Sequence, residues 1–152
     1  MRRLWILACL GLMAGCATSH PRHVALQASP KAKAIVRTAK SYLPEEDGKR
    51  GVPRDCSDFV GKVFAENGIR LPRTAALMAR VGGRVDSSRD LRMGDLLFFS
   101  GEKAGANVGH VAIYLNNGIF IHLSKPEAGV RLESLYSDYY RKRYLMARRV
   151  LP

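Results

Sequence analysis

An α+β fold is the class predicted by this chain of 152 residues. Three observations carry that prediction. Apolar residues recur at helical spacing only in the first half, short runs of strand character fill the second, and Asn116-Asn117-Gly118 marks a hairpin between two of those runs. Helices first and antiparallel strands afterwards give segregated layers rather than a βαβ alternation. With 47% hydrophobic and 25% charged residues, the composition excludes a disordered, collagen-like or coiled-coil chain.

Taken in order, the chain opens with Met1-Arg2-Arg3 and an apolar stretch, Leu4 to Met13, that is too short to span a bilayer. A basic start followed by a short apolar run reads as an export signal. The stretch ends Met13-Ala14-Gly15-Cys16, which resembles a bacterial lipobox with Met13 where leucine is usual. The resemblance implies a signal peptide over 1–15, a diacylated Cys16 as the mature N-terminus and, with Ala17 rather than Asp following, delivery to the periplasmic face of the outer membrane. An ordinary signal cleaved near Ala17 and a first helix of the fold are the competing readings. Residues 16–30 then form a polar tether with two prolines and no periodicity, and the domain proper is 31–152. His20 and His23 in the tether are solvated residues rather than metal ligands, since a lipidated cysteine cannot complete a site.

Ala34, Ile35, Thr38, Ala39 and Tyr42 predict an amphipathic helix over 31–43, closed by Pro44. A charged loop, residues 44–54, leads to a second helix starting around Asp55–Ser57 and stopping at Asn67-Gly68. Thr74 is the expected N-cap of a short helix over Ala75–Arg80. Strands are expected at Asp95–Phe99, His110–Leu115, Ile119–Leu123 and Leu145–Val150, with a helix or turn over Ser134–Arg141.

Charge is the loudest compositional feature: 25 Lys and Arg against 13 Asp and Glu, or +12. An anionic partner follows from that, but not its identity. Arg141-Lys142-Arg143 and Arg148-Arg149 are expected to form a solvated basic face around the last strand. No zinc-finger, helix-turn-helix or RNP-like pattern is present, so nucleic acid is not an expected partner. No His, Asp or Glu cluster has ligand spacing, so neither metal nor other cofactor is expected.

Three cysteines rule out a disulfide framework. Cys9 leaves with the signal and Cys16 is acylated, which leaves Cys56 as a lone thiol in an exported protein. A buried, inert cysteine is the plain reading; a nucleophile is the sharper one. Cys56 stands where a loop becomes a helix, so unpaired N–H groups and the helix dipole are expected to lower its pKa below the free value of about 8.5. Those N–H groups also point where an oxyanion would form on an attacked carbonyl. An imidazole must then take and return the proton, and His110 and His122 lie on consecutive strands. A two-residue Asn117-Gly118 turn pairs Asn116 with Ile119 and puts the two histidines on opposite faces. A three-residue loop pairs Leu115 with Ile119, sets Ala112 opposite His122 and puts both histidines on one face. Catalysis therefore predicts the three-residue loop.

Asp55-Cys56-Ser57, Leu71-Pro72-Arg73-Thr74, Gly94-Asp95-Leu96-Leu97-Phe98-Phe99, Gly109-His110-Val111-Ala112-Ile113-Tyr114-Leu115 and Phe120-Ile121-His122 together resemble, in order and spacing, the NlpC/P60 family of cell-wall peptidases. The resemblance covers most of residues 31–150. It implies a papain-like fold with N-terminal helices packed on an antiparallel sheet, and a cysteine endopeptidase that cuts peptidoglycan stem peptides, commonly between D-Glu and the diamino acid. Carried over, it makes Cys56 the nucleophile, His110 the base and acid, and His122 the group orienting His110. It places Asp55 and Ser57 near the stem-peptide amine and Arg73 beside the groove, with Asp95 structural. Two departures stand out. The family's Tyr-x-x-Gly-Gly segment before the cysteine has no aligned counterpart, leaving Tyr42 as a shifted substitute, and the family's glycine after Cys-Ser is Asp58 here. A wall-binding lipoprotein that keeps the fold with weak or no catalysis is the alternative.

Overall fold

The computed structural model describes residues 28–44, 51–101 and 106–152. The signal peptide, Cys16, the tether through residue 27 and the middle of the charged loop lie outside the described residues. Among the described residues four α-helices and six strands follow in the order α1 (Pro30–Lys40), α2 (Cys56–Glu66), α3 (Ala75–Met78), β1 (Gly83–Val85), β2 (Leu96–Ser100), β3 (Val108–Asn116), β4 (Ile119–Leu123), β5 (Val130–Ser134), α4 (Asp138–Arg143) and β6 (Tyr144–Arg149). The strands form one antiparallel sheet in the order β1-β6-β2-β3-β4-β5. This is the α+β architecture the sequence predicts.

Local chemistry explains the element ends. Ser29 caps α1 by accepting from the Ala32 N–H at 3.1 Å, and Pro30 takes the first helical position, so the helix starts one residue before the expected boundary. It also stops earlier than expected, at Lys40, where Ser41 turns its hydroxyl back to the Thr38 carbonyl. The end of α2 is a closed C-cap: Gly68 at φ +79° lets its own N–H reach the Ala65 carbonyl and the Ile69 N–H reach that of Phe64. Thr74 caps α3 as expected, its hydroxyl accepting from the Leu77 N–H. Two strands escape the sequence pattern, β1 and β5, and they are the two edges of the sheet. Edge strands are short and polar, as Arg131 and Glu133 show in β5, so they lack the apolar alternation that announces a strand. β5 also takes up Ser134, and α4 starts only at Asp138.

Both faces of the central strands are covered. On one side α1, α2 and α3 pack Ile35, Phe59, Val63, Phe64 and Met78 against Phe98, Val111, Ile113 and Ile121. On the other, Leu97, Phe99, Ala112, Tyr114 and Phe120 pack with Leu135 and Ala147. Every residue of β2 is buried, so the run Leu-Leu-Phe-Phe carries no alternation. Asp95, 2% exposed, receives Arg149 Nε at 2.8 Å and Nη2 at 2.7 Å as well as the Arg92 N–H, and so ties the entry to β2 to the last strand. Arg148 donates from Nε to the Ala79 carbonyl at 2.7 Å. Arg148 and Arg149 therefore correct the expectation of a solvated basic face: a planar guanidinium with several donors suits buried carbonyl and carboxylate partners, and here both serve as ties between segments.

The hairpin between β3 and β4 combines features of the two expected loops. Asn117 and Gly118 both have positive φ (48° and 77°), and Asn116 pairs with Ile119, which makes a two-residue turn. Directly behind it the register shifts, so that Tyr114 pairs with Phe120 and Ile113 with Ile121. Leu115 is the extra residue of a β-bulge. The expectation of a three-residue loop is thus wrong about the turn and right about the pairing beyond it. The parity argument from a two-residue turn fails because the bulge restores the phase.

Candidate active site

Asp55 builds the start of α2. Its Oδ1 accepts from the Asp58 N–H at 2.8 Å and from the Ser57 hydroxyl at 2.7 Å. Arg73 closes the cluster, donating from Nη2 to Asp55 Oδ2 at 2.6 Å and from Nη1 to Asp55 Oδ1 at 3.1 Å and Ser57 Oγ at 2.8 Å. The Arg73 guanidinium beside it holds the Asp55 carboxyl well below the usual carboxylate range, with the Asp58 N–H and Ser57 hydroxyl helping against partial burial. Both side chains of the pair remain about half exposed (43% and 50%), so this is a charged rim accessible to ligand rather than a buried bridge. The structure brings together all three residues the sequence assigns to binding.

Cys56, the first residue of α2, is half-buried and a free thiol. Burial pushes its thiol up, and the charge of Asp55 adds to that; the N–H groups of Val111, Ser57 and Cys56 itself pull the other way without prevailing. The expectation of a lowered pKa is therefore corrected, because desolvation of a thiolate outweighs what one helix start returns. Asp58 is not the cause. Although burial opposes it, the Arg54 N–H at 2.9 Å, with Lys62 and the Arg54 guanidinium, keeps its carboxyl ionised and occupied.

Cys56 packs against the core that includes Val111 where α2 meets β3, one residue from His110. His110 is opposite Phe99, and Val108 is opposite Ser100, so Gly109 is the extra residue of a second bulge. A Cβ on Gly109 would stand 2.5 Å from Gly101 Cα and 2.7 Å from its nitrogen, so only glycine allows the two strand ends to close here. His110 Nε2 lies 2.8 Å from Nδ1 of His122, with the rings edge to face. Burial alone lowers His110 to about 4; burial first, then the charges of His110 and Arg131, lower His122 to about 3. At neutral pH both imidazoles are uncharged, and so is the Cys56 thiol.

Behind them, Tyr140 of α4 places its hydroxyl 3.3 Å from His122 Nε2. The sequence reading missed this residue, and the Tyr139-Tyr140 pair in a segment expected to be helix or turn was its only signal. A cavity of about 180 Å3 opens beside the two histidines, with Ser100, Lys125, Tyr139 and Arg143 in its wall. A larger one, about 820 Å3, lies at the hairpin end of the sheet against Asn116, Asn117 and Arg149, and holds none of the predicted catalytic residues. The Tyr42 hydroxyl donates to Glu66 Oε1 at 2.7 Å and its ring packs edge-on to Phe59, so the hydroxyl is engaged by the last residue of α2 rather than the first.

A cysteine at a helix start, facing a strand that carries a histidine paired to a second histidine, is a specific arrangement. The profile describing the NlpC/P60 family matches residues 45–149. The chain belongs to the NlpC/P60 family. It is 42% identical over 104 residues to the Escherichia coli protein named murein DD-endopeptidase MepS/murein LD-carboxypeptidase, covering 68% of this chain and 52% of that one. It is 34% identical over 127 residues to the gamma-D-glutamyl-L-lysine dipeptidyl-peptidase of Bacillus cereus, covering 82% of this chain and 38% of the relative. Among solved structures, an NlpC/P60 family protein from Bacillus cereus superposes with a TM-score of 0.70 at 32% identity, over 82% of this chain and 41% of the other. This NlpC/P60 chain thus spans about half of the Escherichia coli relative and about two fifths of each Bacillus cereus one.

Proposed function

We propose that the protein is a lipid-anchored cysteine endopeptidase that hydrolyses peptidoglycan stem peptides, at the bond between D-Glu and the diamino acid. The observation that carries this reading is the 2.8 Å contact between His110 Nε2 and His122 Nδ1, with His110 next in sequence to Val111 of the core against which Cys56 packs. Because thiol and imidazole rest uncharged, the proton moves only as the substrate arrives. His110 takes the Cys56 proton, the sulfur attacks the carbonyl carbon, and N–H groups at the start of α2 face the developing oxyanion. His110 then returns the proton to the leaving amine, and water cleaves the thioester to free the acid. The ionised Asp55, held by Arg73 and Ser57, supplies a negative charge for the free amine of a stem peptide.

Purified wild-type protein is expected to release cleaved muropeptides detectable by mass spectrometry, and Cys56→Ala to release none. Equal digestion by both ends the proposal. One observation favours the second reading, a wall-binding protein of weak or no catalysis: the thiol is pushed up rather than down. Under that reading the wild type releases few cleaved muropeptides or none.

Anchoring rests on the basic start, the short apolar run and Ala-Gly-Cys at 14–16, and the residue after Cys16 supports the periplasmic face of the outer membrane. The mature N-terminus is expected to be a diacylated Cys16 by mass spectrometry; a mature chain beginning at Ala17 removes the anchor.

A further inference from the structure

We propose that Tyr140 is a positioning residue of the site, its hydroxyl oxygen accepting the Nε2–H of His122 and so fixing the tautomer through which His122 orients His110. The inference rests on the peptidase reading for its kinetic consequence, but not for its structural one.

Three groups stand in line: His110 Nε2 and His122 Nδ1 at 2.8 Å, then His122 Nε2 and the Tyr140 hydroxyl at 3.3 Å. When His110 has taken a proton from the thiol, both its nitrogens carry hydrogen, and its Nε2–H must point at His122 Nδ1. That nitrogen can accept only if the His122 proton sits on Nε2. His122 is 0% exposed, so an Nε2–H without an acceptor would be stranded away from water. Tyr140 meets that need with a hydroxyl that burial, with the Glu133 and Tyr139 charges, pushes up to about 12, so it stays an uncharged phenol. A carboxylate in its place would draw positive charge onto His122; a neutral oxygen leaves the charge on His110, where the proton must be handed on.

The opposite tautomer shows what is at stake. With hydrogen on His122 Nδ1, two donors or a reversed bond would face His110 Nε2, and the resting proton of His110 would move to Nδ1, the nitrogen left to receive the thiol proton. The Tyr140 ring is itself held in place, packing against Phe99 (5.4 Å), Phe120 (4.9 Å) and the His122 ring (5.5 Å). The charged and titratable groups facing the pair are Arg131 and Glu133 from β5, Tyr139 and Arg143 from α4, and His110 from β3.

Tyr140→Phe keeps the ring and its packing and removes only the oxygen. Two measurements test it. Nitrogen-15 NMR of the His122 ring should show Nε2 protonated and Nδ1 bare in the wild type, shifting toward the other tautomer in the variant. For Cys56-dependent hydrolysis, kcat should fall by about 10- to 100-fold, the cost of stranding one buried donor, with KM within about twofold. A wild-type His122 carrying its proton on Nδ1, or a variant with unchanged ring shifts and unchanged kcat, overturns the proposal. Absence of wild-type hydrolysis would instead sink the peptidase reading, and the ring shifts alone would then decide the role of Tyr140.

Discussion

His110→Ala should retain the fold, with an unchanged circular dichroism spectrum, and lose about a thousandfold or more of kcat/KM on stem peptides. The size follows from two separate losses. The Cys56 thiol is held above the free-cysteine value of about 8.5 by burial, so at pH 7 its spontaneous thiolate fraction is below about 3%. Without an imidazole to take the proton during attack, the enzyme works only through that fraction. The leaving amine also loses its acid, a contribution of about 100-fold or more. The first loss is recoverable and the second is not. Raising the pH should therefore lift the activity of His110→Ala roughly in proportion to hydroxide, while the wild type stays flat in the same range. A variant within tenfold of wild type at neutral pH, or one with no alkaline rise, would remove His110 from the role of base.

Acid should destabilise the fold through the same pair of rings. Both histidines are held below 6.5 by burial, His110 at about 4 and His122 at about 3. Between pH 6.5 and 4 the unfolded chain therefore binds protons that the folded chain refuses, and stability falls as pH falls. The stability is fully present above 6.5 and is lost progressively on the way down. For His110 alone the shift corresponds to about 3 kcal/mol, a large part of the stability of a domain this size. Urea unfolding at pH 7 and pH 4 measures it: the wild-type midpoint should drop markedly, and that of His110→Ala by less, since one of the two reluctant bases is gone. A wild-type midpoint that does not move sinks the argument. Asp55, also held low, adds little, because its carboxylate is half exposed and titrates below this window.

Much of the site was legible because its residues sit at places where sequence and geometry are tightly linked. Asp55 is an N-cap by chemistry, which puts Cys56 at the first helical position. Alternation along β4 carries His122 to the face of Phe120. What the sequence hid was relational. The thiol pKa depended on how deeply α2 sinks against β3, and burial reversed the expected sign. Tyr140 reaches His122 from a helix joined to it by no spacing rule. Arg149 looked like surface charge until the fold put Asp95 beside it. β1 and β5 were hidden because edge strands suppress the very pattern by which strands are found.

The bulge at Leu115 has a consequence for how this chain can vary. Hairpin tips are ordinarily where a protein tolerates the gain or loss of a residue. Here the tip and the bulge together count out the steps between His110 and His122, and the count must come out even. Dropping one residue between Leu115 and Gly118 without a compensating change would rotate every side chain of β4 to the opposite face, exchanging His122 for a neighbour while leaving both strands intact. The hairpin tip is a surface loop by location, but its length is under the same constraint as the two histidines it never touches.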